Sequence, residues 1–266
     1  MNDAIPRILV NRAKDKLARG ETVYSMTVRL VRTVDIASIA STAGFDSIYI
    51  DLEHSSVSLE DAGQICMACN ALGVTPLVRV PGLDAPLIAR VMDSGAMGII
   101  LPGVQSADEA RALVRAVKHV PVGERSLAGA APQLNYRAFP PEQVIRELDS
   151  ASLVVAMIES RAGLEAVEEI AAVDGVDMLL VGANDLSVEL GVAGQMDHPS
   201  VHEAYLRVIA ACTASGTAIG IGGLGGWPDL IEKYLGLGAS YVSTGNDISF
   251  LLGAATAKRR QFEDRA

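Results

Sequence analysis

Eight short apolar runs recur along the chain and alternate with stretches of helical period, and this alternation limits the fold more than any single motif. The runs are Val23–Val28, Ser47–Ile50, Pro76–Val80, Gly98–Leu101, Leu153–Ile158, Met178–Val181, Ala218–Ile221 and Tyr241–Thr244. Amphipathic stretches such as Val34–Thr42, Ser106–Lys118, Ala162–Ala172 and Pro199–Ala214 separate most of them. Strands that are apolar on both faces and joined by helices imply a parallel sheet with right-handed crossovers. Eight such units closing on themselves form a (β/α)8 TIM barrel. With 266 residues, half of them apolar, the expectation is one barrel domain over 1–266.

The repeat lapses between Val120 and Ser150, where Gly, Pro, Gln, Asn and Arg dominate. This reads as a long excursion after strand four, placed at the C-terminal rim, where such insertions act as lids or subunit contacts. The last segment, Ile248–Arg265, begins apolar and ends charged. It predicts a helix whose first half is buried, either against the barrel or against a neighbouring subunit.

Charge narrows the partners. Lys and Arg total 22 against 32 Asp and Glu, a net charge of −10, and the one basic block is the short Lys258-Arg-Arg260. A nucleic-acid footprint is missing. No apolar run nears the roughly 20 residues that span a bilayer, and Met1-Asn-Asp-Ala4 lacks a basic region followed by an apolar stretch. These features predict a soluble, cytoplasmic protein with no membrane partner. Three cysteines, Cys66, Cys69 and Cys212, are too few and too odd in number for a disulfide framework. Cys66-Met-Ala-Cys69 matches C-x-x-C inside the helical stretch Leu59–Leu72, so core packing competes with a redox or metal role.

In a parallel barrel the chemistry sits where strands end, so polar residues at those ends are the candidates. Asp51-Leu-Glu-His54 directly follows the second apolar run. Crowding acids and an imidazole at a strand end is costly unless a cation, a proton or a substrate balances them. Asp51 either caps the next helix or belongs to a site, where His54 is a candidate general acid or base oriented by Asp51. Arg79 lies within an otherwise apolar strand and must meet an anion, either an acid such as Glu53 or Glu159, or a substrate carboxylate or enolate oxygen. Glu159 and Asp185 close consecutive strands, about 4.8 Å apart. They either cap the helices that follow or share a hard divalent cation such as Mg²⁺ or Mn²⁺.

Other residues carry weaker signals. His119, at a helix end before Val120-Pro121, and His198 and His202, at a helix start, read as caps or surface groups. The lysines, Lys14, Lys16, Lys118, Lys233 and Lys258, fall in helices or terminal segments, which argues against a Schiff base. Gly220-Ile-Gly-Gly-Leu-Gly225 matches G-x-G-x-x-G after a strand. A dinucleotide-binding oxidoreductase is one reading, but only one strand follows, too few for a dinucleotide fold. The other reading is close backbone approach to a substrate or phosphate.

Taken in order, Phe45-Asp-Ser-Ile-Tyr-Ile-Asp-Leu-Glu-His54, Leu77-Val-Arg-Val80, Met92-Asp93-Ser-Gly95, Leu101-Pro102 with Ala107-Asp-Glu-Ala110, Met157-Ile-Glu159, Val181-Gly-Ala-Asn-Asp-Leu-Ser187 and His198-Pro199 resemble the HpcH/HpaI class II pyruvate aldolases. The resemblance covers nearly the whole chain. It implies a barrel of the phosphoenolpyruvate/pyruvate-binding type and reversible aldol cleavage of a 4-hydroxy-2-oxo acid to pyruvate and an aldehyde through a metal-stabilised enolate. It assigns the divalent metal, Mg²⁺, Mn²⁺ or Co²⁺, to Glu159 and Asp185. Arg79 would stabilise the enolate, His54 and Asp51 would handle the hydroxyl proton, and backbone amides near Gly182 and Ala183 would hold the pyruvate carboxylate. Asp93 matches a residue contributed near a neighbouring subunit's site. A hexamer, a trimer of dimers with exchanged C-terminal helices, is implied as well. One departure is Gly182-Ala-Asn-Asp-Leu186, where the family pattern reads Gly-Pro-x-Asp-Leu. A Claisen-type enzyme joining an oxo acid to an acyl-CoA is the alternative within this superfamily.

Overall fold

The structure, a computed structural model, describes residues 7–263. The Met1–Ala4 start and the predicted helix end at Arg265 lie outside them. Eight parallel strands close into one barrel in sequence order. They are β1 (Val23–Val28), β2 (Ser47–Asp51), β3 (Thr75–Arg79), β4 (Gly98–Leu101), β5 (Leu153–Ile158), β6 (Met178–Gly182), β7 (Ala218–Gly222) and β8 (Tyr241–Asn246). The helices are α1 (Arg12–Ala18), α2 (Asp35–Thr42), α3 (Leu59–Leu72), α4 (Ala85–Asp93), α5 (Ala107–Val117), α6 (Pro141–Ala151), α7 (Arg161–Glu165), α8 (Val167–Ala171), α9 (Ala183–Glu189), α10 (Pro199–Ser215), α11 (Pro228–Gly236) and α12 (Asp247–Glu263). The predicted helix Ala162–Ala172 is broken at Ala166, which caps α7 and starts α8.

The runs are apolar on both faces because two cores share each strand. Tyr49, Leu77, Ile100, Val155, Met157 and Leu180 fill the barrel interior. Their neighbours Ile48, Ile50, Val78, Ile99, Val154 and Leu179 point outward and pack under the helices. This period of two makes the barrel a packed core rather than a pore. Truncating a fully buried interior residue such as Leu180 to alanine costs about 2–5 kcal/mol. The same alternation turns Asp51, Arg79 and Glu159 inward, each two residues beyond an interior apolar residue.

α1 covers the N-terminal floor. Its cap, Asn11, accepts from the Lys14 amide at 3.0 Å and donates to the Ala151 carbonyl at 2.7 Å. Lys14 and Lys16 reach Asp177 and Asp46, at 2.8 and 2.9 Å, on the residues just before β6 and β2.

One expectation is corrected here, and of the two alternatives for the last helix, burial against the barrel is removed. The excursion 120–150 leaves from the end of α5 and returns through α6 into the start of β5, so it belongs to the floor and not to the C-terminal rim. Its apolar residues Ala131, Leu134 and Leu148 pack with Leu9 and Met97. The first half of α12 is not buried against the barrel: Leu251 and Leu252 are 63% and 65% exposed, and Ile248 and Phe250 are also exposed.

Candidate active site

The C-terminal ends of the strands surround a cavity of about 530 Å³. Asp51 and Arg79 are register partners at the ends of β2 and β3. Arg79 grips the fully buried Asp51 with two hydrogen bonds, Nε to Oδ1 at 3.0 Å and Nη2 to Oδ2 at 2.7 Å. Such a fork holds the guanidinium plane in one orientation. Asp51 Oδ1 also accepts the backbone amides of Glu53 and His54 at 3.1 and 3.2 Å, and Arg29 lies 3.0 Å from Oδ2. Burial alone would push the Asp51 carboxyl up, but the Arg79 bonds and charge, the His54 amide and Arg29 outweigh it and hold the carboxyl below its ordinary value.

The imidazole of His54 is not on Asp51. Its Nε2 lies 3.6 Å from Glu53 Oε2, and the side chain is 53% exposed. Asp51 therefore orders the His54 loop through backbone amides rather than through the ring. Glu53 in turn lies 2.9 Å from Arg79 Nη1. Of the partners considered from sequence, Arg79 is paired with acids, Asp51 and Glu53, and it also lines the cavity.

Glu159 follows β5 and accepts the Gly103 amide on Oε1 at 2.7 Å. Its Oε2 accepts no hydrogen bond among the described residues and lies against Gly182, where an added Cβ would overlap it. That close approach requires glycine at 182. Burial first, and then the charge of Asp185, push the Glu159 carboxyl up to about 7. Asp185 sits in the first turn of α9 and lines the same cavity with Gly182 and Ala183. Two carboxylates face one space, and no cationic side chain among the described residues is bonded to either. Among the described residues no group of three or more His, Cys, Asp or Glu forms a complete metal cage.

Other sequence candidates fall elsewhere. Asp93, at the end of α4, accepts from Arg125 at 3.0 Å, outside the cavity of its own chain. His119 is corrected from cap or surface group to buried residue. It is 2% exposed and its Nδ1 lies 2.6 Å from Asp149, because α6 folds back over the end of α5. His198 caps α10, accepting the Ser200 amide at 3.2 Å. Cys66 and Cys69 are buried and free, with burial pushing the Cys69 thiol up to about 12 and Cys66 well above its ordinary value. Gly222, Gly223, Gly225 and Gly226 line the cavity, so the glycine run approaches it with backbone. The lysines occupy helices and the floor.

The excursion contributes no lining residue, whereas Thr27, Arg29, Asn184, Ser243 and Asn246 do. Of these Arg29 was within reach of sequence reasoning, because it directly follows the first apolar run.

The sequence profile of the HpcH/HpaI aldolase/citrate lyase family matches residues 29–254. The chain belongs to that family. It is 40% identical over 216 residues to the 4-hydroxy-4-methyl-2-oxoglutarate aldolase cghB of Chaetomium globosum, covering 80% of each chain. The crystal structure of an HpcH/HpaI aldolase from Desulfitobacterium hafniense DCB-2 superimposes with a TM-score of 0.87 at 30% identity, over 94% of this chain and 96% of that one. The citrate synthase SbnG superimposes with a TM-score of 0.83 at 27% identity, over 97% and 99%. As an HpcH/HpaI member the chain is an aldolase-type carbon–carbon lyase. No helix among the described residues is long and apolar enough to cross a membrane.

Proposed function

We propose that this HpcH/HpaI protein reversibly cleaves a 4-hydroxy-2-oxo acid to pyruvate, or a related 2-oxo acid, and a second carbonyl compound, in the cytoplasm. The observation that carries this reading is the open carboxylate pair, Glu159 and Asp185, in one cavity with the Arg79–Asp51 fork. The pair fits a divalent cation. Its donors are hard oxygens, burial and then the charge of Asp185 raise the Glu159 carboxyl, and two protein carboxylates leave room for water and substrate, as Mg²⁺ or Mn²⁺ favours. When bound, such a cation supplies Lewis-acid polarisation of the 2-oxo group.

The remaining work belongs to the chain. Arg79, fixed by Asp51, presents positive charge to the oxygen where enolate character develops. Backbone amides at Gly182 and Ala183 hold the substrate carboxylate. In cleavage the C3–C4 bond breaks, the 4-hydroxyl proton passes to His54 Nε2, and the bonding pair becomes the pyruvate enolate, which then gains a proton at carbon three. Asp51 sets the His54 loop through the amide of that residue. The exposed apolar residues of α12 support assembly with further copies of the chain, as a hexamer built from dimers that exchange this helix.

Proton exchange at the pyruvate methyl group, followed by NMR in heavy water with Mg²⁺ or Mn²⁺ and then with a chelator, tests the reading. Metal-dependent exchange is expected; exchange indifferent to metal, or none, removes it. The likeness to the citrate synthase SbnG favours a second reading, Claisen joining of an oxo acid to an acyl-CoA. Exchange without turnover of any hydroxy-oxo acid would favour that one.

A further inference from the structure

Arg29 is a cavity residue without a part in the chemistry described above. It stands just beyond β1, and in an eight-stranded barrel β1 lies across the ring from β5, where Glu159 follows. Pyruvate chemistry at Glu159 and Asp185 therefore leaves the Arg29 side of the cavity to the second carbonyl compound. The wall there is mixed, made of Thr27, Ser243, Asn246 and the glycines of the loop after β7, with the Phe250 ring beside Gly245.

The arginine is held in place from its backbone. Asp247, buried at the start of α12, accepts the amides of Arg29, Leu30 and Val31 at 3.1, 2.9 and 2.8 Å. Three amides on one carboxylate fix the loop that carries the guanidinium. The side chain itself is only partly engaged. Nη2 donates to the His54 carbonyl at 3.0 Å, and Nε approaches Asp51 at 3.0 Å without forming an aligned hydrogen bond. Nη1 makes no hydrogen bond among the described residues, and the side chain is 31% exposed. Asp51 does not require Arg29, since Arg79 already grips both of its oxygens. A pre-set guanidinium with a free donor edge, facing a cavity, is suited to a carboxylate.

We propose that Arg29 is the acceptor-specificity residue and reads a carboxylate attached next to the acceptor carbonyl. The second substrate is then itself a 2-oxo acid, and the cleaved compound a dicarboxylate. This inference rests on the aldol reading. Of the glycines lining this side, Gly226 has no atom within 4 Å of an added Cβ, which leaves space there for a substituent on the acceptor carbonyl, so a ketone is accepted as well as an aldehyde.

The test compares kcat/KM for cleavage of 4-hydroxy-4-methyl-2-oxoglutarate, which carries the second carboxylate, and 4-hydroxy-2-oxovalerate, which does not. The unaltered protein is expected to favour the dicarboxylate. Arg29→Leu should lower the ratio of the two constants by about 10²-fold, since a site built to bond a polar group discriminates at that scale or above. Arg29→Lys should restore part of the ratio, keeping the charge but not the fork. Should Arg29→Leu fail to fold, Arg29→Lys and Arg29→Gln still read the ratio. An unaltered protein with no preference, or variants that lower both constants equally, would show Arg29 to be structural and overturn the inference. Methyl exchange on pyruvate separates the two failures: exchange present with an unmoved ratio removes only the role of Arg29, whereas exchange absent removes the aldol reading beneath it.

Discussion

At the floor of the barrel Lys118 uses all three ammonium donors on the chain itself, reaching the Asp149 carbonyl at 2.6 Å and the Ser152 carbonyl and hydroxyl at 3.1 and 2.7 Å. At the rim Glu159 has one oxygen on the Gly103 amide and the other turned to the cavity. Lys118 is buried and Glu159 half-buried, and both are driven toward neutrality, Lys118 down to about 8 and Glu159 up to about 7, with desolvation the largest cause in each. The difference lies in what satisfies them. Lys118 closes its donors on the chain itself, whereas Glu159 leaves an oxygen for something that is not protein; elsewhere at the floor His119 Nε2 and Gln133 Oε1 are buried without a hydrogen-bond partner among the described residues. An unfilled, charge-raising acid marks a site; a shifted but fully bonded base marks architecture.

The sharpest way to break this contrast is to remove the open oxygens. Glu159→Gln and Asp185→Asn should each lower kcat/KM by roughly 10³-fold or more at fixed Mn²⁺, while the folded state persists. Isothermal titration of Mn²⁺ into each variant should show weakened binding in parallel. Metal binding undiminished by both changes would dissociate the pair from the cation and leave the rim no different in kind from the floor.

The Arg79–Asp51 fork is expected to combine both characters. Asp51→Asn breaks a buried pair and should cost about 3–5 kcal/mol of stability in urea unfolding. Arg79→Lys keeps the charge but loses the fork, and should lower kcat by about 10²-fold with a smaller loss of stability. If Arg79→Lys shifts the unfolding midpoint without touching kcat, Arg79 belongs with the closed groups.

How far the sequence carried these assignments differs between the two ends. Strand ends are legible because an apolar run stops abruptly at a polar residue, and Asp51, Glu159 and Asp185 lie at or just beyond such a stop, while Arg79 stood out as the charge inside an apolar run; all four line one cavity. Arg29 follows the same rule directly after β1 and was within reach of the same reasoning, but its contact with the cavity became visible only in three dimensions. The floor was harder to read. His119 is buried because α6 returns from 30 residues away to place Asp149 on its Nδ1, and a contact of that separation leaves no local pattern. The same return moved the 120–150 excursion from rim to floor: an insertion after a helix, not after a strand, emerges at the opposite end of a barrel. The place of the His54 ring was equally hidden, since the loop is set by two amides bonded to Asp51 rather than by a side-chain periodicity.

The pH dependence of stability gives a smaller but directional contrast. Glu159 rises from its ordinary 4.5 to about 7, so between those values the folded metal-free protein holds more protons than the unfolded chain, and stability falls as pH rises. Lys118 drops from 10.5 to about 8; there the unfolded chain holds more protons, and stability rises as pH climbs from 8 to 10.5. Calorimetric Tm values across pH should therefore lose their acid-side slope in Glu159→Gln and keep the alkaline-side one. Added Mn²⁺ should raise Tm most above pH 7, where Glu159 is ionised. Slopes unaltered by Glu159→Gln would mean that its carboxyl titrates normally.

Lys118→Met should have the smallest effect, because two terms oppose each other. The substitution removes a buried ammonium, whose desolvation is unfavourable, and replaces it with an apolar group of similar length, which favours the variant. It also removes one donor from the Asp149 and Ser152 carbonyls and the Ser152 hydroxyl, but the Asp149 carbonyl keeps the Ser152 hydroxyl at 3.1 Å and the Ser152 carbonyl keeps Lys14 at 2.8 Å, so the loss stays below the about 1–3 kcal/mol of a buried acceptor left unpaired. The expected net change in the urea midpoint corresponds to about 1 kcal/mol or less in either direction, with kcat/KM and Mn²⁺ affinity unmoved. The alkaline-side slope of Tm against pH should flatten in this variant, which reports the lysine independently of the net stability. A large loss of turnover in Lys118→Met at unchanged Tm would mean that the floor communicates with the rim through the β5 strand beginning at Leu153, and the division between a closed end and an open one would no longer hold.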